Sequence, residues 1–181
     1  MNSPAEQTPP GASPRKGTRA YDQRRYFTCR SNLLVMTVFT LANLILVVLD
    51  VDFSLSFSAI LPLFLCSFGK ELAAKTGAAA LFPLAIVLAA LLILLFFLCW
   101  LFSAKRYGWL IPALVVYAAD TALLLSMITP EHLLTMIIEI VFHVWVLYYL
   151  IAGIIAGRRL KKEKEAPLSP SRADKEPPSP L

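Results

Sequence analysis

Charge is scarce where a soluble domain would carry it. Only 16% of the 181 residues are charged and 57% are hydrophobic, against about a quarter charged in soluble globular proteins. A mean hydropathy of +0.66 agrees, and together these figures exclude a water-soluble fold. Cysteine occurs three times, as Cys29, Cys66 and Cys99. Their scatter shows no disulfide or metal spacing, so they read as small hydrophobes. Histidine occurs twice and glycine seven times. Accordingly there is no HExxH pair, no glycine-rich phosphate loop and no G-x-S-x-G elbow. No catalytic residue, metal site or cofactor is expected.

The charge that exists is segregated. Residues 1–30 carry six Lys/Arg and residues 158–181 carry seven, while the stretch 31–157 has a net charge of −2. Basic flanks beside apolar runs fix topology and touch anionic lipid, so the overall +5 does not imply nucleic acid. Both tails are rich in proline and small polar residues and read as disordered.

Between the tails, uncharged runs alternate with short charged breaks. Runs at about 31–49, 78–102, 107–128 and 133–156 are each long enough to cross a ~30 Å hydrocarbon layer at 1.5 Å per residue. The segment 53–69 is different. It has only 17 residues, is interrupted by Ser54, Ser56, Ser58, Pro62 and Ser67, and ends at Gly69-Lys70-Glu71. Such a piece suits a half-inserted or interfacial helix, whose backbone survives at membrane depth only when protein or water covers it. The expected fold is therefore an all-α polytopic membrane protein: four transmembrane helices plus this short segment. With an even number of crossings, both basic tails and Lys105-Arg106 lie on one side, which the positive-inside rule makes the cytoplasmic one. Partners follow from this: the lipid bilayer, and a membrane protein or a second copy.

Three stretches carry a family likeness: Val38-Phe39-Thr40-Leu41-Ala42-Asn43-Leu44, then Phe57-Ser58-Ala59-Ile60-Leu61-Pro62, and Asp120-Thr121 together with the run from Phe142 to Gly153. The chain resembles an uncharacterised group of small four-span membrane proteins of Gram-positive bacteria, over roughly residues 30–160. The resemblance implies that architecture and a bacterial cytoplasmic membrane, and implies no mechanism.

Ionisable groups inside spans are costly and usually face protein or water. Asp120, Glu139 and His143 qualify. The last two spans are antiparallel neighbours joined at 129–132, and counting from that turn puts Asp120 between Glu139 and His143 in depth, roughly 15 Å below it. At about 100° per residue, His132, Thr135, Glu139, His143, Leu150, Gly153 and Gly157 share one stripe, the face expected to pack in the bundle. Gly153 and Gly157 form a small-xxx-small pair suited to close helix approach or to a homo-oligomer contact. Thr40 and Asn43 reach a similar depth from the first span, and Tyr117 lies one turn from Asp120. Asp50, Asp52, Glu131 and His132 would ring the outer mouth. Three readings stay open: hydrogen-bonding glue in a non-catalytic scaffold or accessory subunit, a proton or cation site for transport or sensing, and metal-assisted chemistry on a His-plus-carboxylate set.

Overall fold

The computed structural model describes residues 15–51, 55, 57–129 and 133–165. Among the described residues five α-helices form: α1 Arg19–Val48, α2 Ile60–Thr76, α3 Leu81–Ser103, α4 Leu110–Ser126 and α5 Leu133–Glu165, with a 3-10 turn Tyr107–Trp109 leading into α4. Among the described residues four segments, Arg19–Val48, Leu81–Ser103, Tyr107–Ser126 and Met136–Glu165, are long and apolar enough to cross a membrane. The chain is an all-α, multi-pass bundle.

The surface is inside-out relative to a soluble protein. Val38, Leu91, Val115 and Val141 stand exposed around the outside, while Asn43, Asp120 and His143 are at most 1% exposed inside. Apolar side chains on the outside of helices this long have lipid as their solvent.

Helix boundaries follow local chemistry. Pro62, Pro83 and Pro112 each occupy the third residue of their helix, within the first turn, whose N–H groups have no intrahelical partner. Gly77, at φ +73°, ends α2 and donates its N–H to Ala73 O at 2.9 Å, a left-handed cap that glycine adopts without a Cβ penalty. Asp50 turns the chain after α1 at φ +56°, a conformation its short polar side chain tolerates.

Two boundaries differ from the sequence expectation. Residues 19–30 are helical rather than part of a disordered tail. Thr18 caps them by accepting from Tyr21 N at 3.3 Å, and Tyr26 donates to the Ser103 carbonyl on α3. The short segment also runs further than 53–69. Its helix starts at Ile60 and continues through Lys70 and Glu71 to Thr76, carried by a Glu71–Lys75 pair at 2.6 Å one turn apart. The expected disorder of residues 1–14 and 166–181 lies outside the described residues.

Levels along the bundle follow from cross-helix contacts. At the basic end, Gly153 of α5 meets Cys29 of α1 and Leu110 of α4. At the far end Lys70 of α2 pairs with Asp50, and Gly69 meets Leu81 and Ala85 of α3. Helix α2 starts level with Thr40, because Thr40 bonds Ala59 just before it. From there α2 runs alongside α1 towards the far end, reaching Asp50 roughly 15 Å later at 1.5 Å per residue. It thus begins halfway down the bundle, as a half-inserted helix must.

Candidate functional site

The beginning of α2 is the chemically demanding part of the fold. Leu55 and the chain from Phe57 to Leu61 lie at mid-bundle depth, where water does not compete for their backbone groups, so side chains must satisfy them. Phe57 there takes φ +76°, a strained value for a bulky residue. Three polar side chains hold this segment in place.

Asn43 on α1 makes three bonds. Its Nδ2 donates to Leu55 O at 2.8 Å and to Ser58 Oγ at 2.7 Å, and its Oδ1 accepts from Leu55 N at 2.7 Å. Thr40, one turn away, donates to Met36 O at 2.8 Å and accepts from Ala59 N at 2.9 Å. Asp120 on α4 accepts from Leu61 N through Oδ1. Because Pro62 has no N–H, the Leu61 donor is the one that the first turn of α2 aims at α4. A carboxylate in that place also suits the positive end of the helix dipole.

The other Asp120 oxygen, Oδ2, lies 2.9 Å from His143 Nε2 on α5, with both side chains 1% exposed. His143 Nδ1 is 2.8 Å from the Glu139 backbone carbonyl. A carbonyl only accepts, so Nδ1 carries a hydrogen. One further proton then sits between Nε2 and Oδ2, on either atom, and the pair is neutral overall. Tyr117 stacks flat on the imidazole at 5.1 Å and 11°. Its hydroxyl is buried and lacks a hydrogen-bond partner among the described residues.

The structure thus joins Thr40, Asn43, Asp120, His143 and Tyr117 into one layer. Glu139 contributes its carbonyl. Its half-buried carboxyl makes no hydrogen bond or ion pair among the described residues, so the expected meeting of three ionisable side chains reduces to two. At the expected outer mouth, Asp50 is exposed and paired with Lys70. Asp52, Glu131 and His132 lie outside the described residues. No three His, Cys, Asp or Glu converge as metal ligands among the described residues.

The glycine pair is used within the chain. A Cβ on Gly153 would collide with Cys29 Sγ, and one on Gly157 would lie 2.5 Å from Tyr107 Cβ and 3.1 Å from the Tyr26 ring. That face is filled by α1 and by the turn before α4.

Sequence reasoning found the layer's side chains and missed their main partner, the backbone of Leu55, Ala59 and Leu61. The signal was present. A serine-rich, uncharged segment too short to span, interrupted by Pro62, needs acceptors at its own depth, and Thr40, Asn43 and Asp120 lie there. Comparisons with protein-family models, with curated proteins and with solved structures found no match to this chain.

Proposed function

We propose that this protein resides in a bacterial cytoplasmic membrane, both termini on the cytoplasmic side, and that Asp120 and His143 form a proton-controlled joint serving proton- or cation-linked transport or sensing. The observation that carries the reading is the double engagement of Asp120. One oxygen holds the N-terminus of a half-inserted helix, and the other lies 2.9 Å from Nε2 of a buried imidazole.

Each change in proton number breaks something. A second proton on the pair makes a neutral carboxyl beside an imidazolium, and the carboxyl then holds the Leu61 N–H less strongly than a carboxylate does. Removing the shared proton sets the bare Nε2 lone pair against a carboxylate, and the α4–α5 tie is lost. The joint therefore converts protonation into attachment or release of α2, a two-state element of the kind a switch needs. The resemblance to bacterial four-span proteins and the clustering of Arg24, Arg25, Lys105, Arg106, Arg158 and Arg159 at one end of the bundle support the cellular placement.

The test is proton exchange by the full chain in proteoliposomes, followed with a pH-sensitive dye while an ion or pH gradient is imposed. Asp120→Asn and His143→Gln are each expected to abolish the proton-dependent signal, while Thr40→Ser retains it. Variants that behave like wild type leave these groups as fasteners in a non-catalytic scaffold or accessory subunit and overturn the proposal.

A further inference from the structure

The face of α5 opposite the glycine stripe is apolar and exposed. Ile138, Val141, Trp145 and Tyr148 recur at i, i+3 and i+4 spacing and are between 46% and 62% exposed. At mid-bundle, beside Phe57, this stripe forms an open groove of about 420 Å³ lined by Phe57, Ile137, Ile138, Val141, Phe142 and Trp145. Its lining is wholly apolar. Rings continue from the groove towards the basic end: Phe57 on Phe142 at 5.0 Å, Phe142 on Trp145 at 6.0 Å, Trp145 on Tyr149 at 5.3 Å and Tyr149 on Tyr148 at 5.4 Å.

The line of rings ends on a positive charge. The Arg25 guanidinium lies 5.6 Å from both the Tyr21 and Tyr148 rings and donates one N–H to Tyr148 Oη at 2.8 Å. A guanidinium has five N–H donors, and Arg25 has no carboxylate partner among the described residues. Asp22, one turn earlier, is instead paired with Arg159 at 3.8 Å. Two rings and a hydroxyl fix the fork in advance, which lowers the entropy lost when it grips a planar or tetrahedral oxyanion.

Spacing selects the ligand. From Tyr148 to Ile138 is roughly 15 Å along α5, half of the ~30 Å hydrocarbon layer and so the depth of one leaflet. We propose that an anionic phospholipid of the basic-side leaflet binds along this stripe, its phosphate on Arg25 and one acyl chain running past Trp145 into the groove at Phe57. The site is independent of the Asp120–His143 joint, although its inner end touches Phe57 on the segment that the joint secures.

Native mass spectrometry of the full chain in detergent, with phosphatidylglycerol added, tests this directly. Wild type is expected to retain one phosphatidylglycerol, in preference to phosphatidylcholine and undisturbed by millimolar inorganic phosphate. R25Q and V141W are each expected to cut retention at least tenfold, while R24Q stays within twofold of wild type. Val141 is exposed, so filling the groove there tests the acyl-chain contact whatever R25Q does to folding. Wild-type retention by V141W or by a folded R25Q overturns the proposal. Equal binding of phosphatidylcholine, or displacement by inorganic phosphate, overturns it as well.

Discussion

Asp120 is the junction of the polar layer, because among the described residues it alone ties α4 by hydrogen bonds to both α2 and α5. Hydrogen bonds between membrane helices contribute about 0.6 kcal/mol on average and up to about 1.7 kcal/mol. A double-mutant cycle of Asp120→Asn and His143→Gln is expected to return a coupling energy in that range by reversible unfolding in detergent. A coupling near zero would mean that the 2.9 Å contact carries no energy. Gly153 makes a steric prediction of similar clarity. Gly153→Leu drives a side chain into Cys29 and Leu110, and overpacking of this kind costs about 1–3 kcal/mol or more. Thermal unfolding of that variant is expected to shift down sharply, and an unchanged melting temperature would mean that α1 and α5 separate easily there. Asp120, His143, Thr40 and Asn43 were all legible in the sequence, since polar residues stand out in apolar runs. Glu139 was misleading for the same reason: spacing puts it at the right depth, but its side chain does not join the pair.

At the scale of elements, α2 is the piece whose stability is local and adjustable. Its start is held by Asn43, Thr40 and Asp120, and losing a helix-capping side chain costs about 0.5–2 kcal/mol. Asn43→Ala is therefore expected to speed amide hydrogen exchange at Leu55, Ala59 and Leu61 by on the order of tenfold, with α5 unaffected. Uniform acceleration across all helices would indicate global destabilisation instead. The far end of α2 is fastened differently. Lys70 hydrogen-bonds Asp50 and attracts it electrostatically, and both effects hold that exposed carboxyl below the usual carboxylate range. A lowered pKa in the folded state stabilises at pH values above the ordinary carboxylate value of about 3.9, and this contribution is lost as pH falls through the lowered one. The difference in unfolding temperature between wild type and Asp50→Asn is thus expected to be constant near neutrality and to shrink only in acid. A difference that grows in acid would contradict the pairing. The sequence indicated that 53–69 does not span and gave its length only roughly. No residue between Lys70 and Gly77 breaks a helix, and only the contacts with Asp50 and α3 show how far α2 runs.

At the scale of the molecule, four spans and a half-inserted helix leave the two described chain ends together at the basic end, where Tyr26 meets Gly157 and Asp22 meets Arg159. That much follows from hydropathy and charge, because alternating apolar runs and basic breaks admit few arrangements. Packing order was less accessible. The dominant contact of α1 is with α5 and that of α2 with α3, and no periodicity in a uniformly apolar helix such as α3 identifies its neighbour. The central claim is that protonation of one buried pair governs the docking of α2. Solid-state ¹⁵N NMR of the protein in bilayers, following the His143 ring nitrogens and the Leu61 amide across a pH series, tests it most directly. The account predicts that the two signals shift together with one midpoint, and that both shifts disappear in Asp120→Asn. A Leu61 amide that stays fixed while His143 titrates, or that still moves in Asp120→Asn, would contradict it.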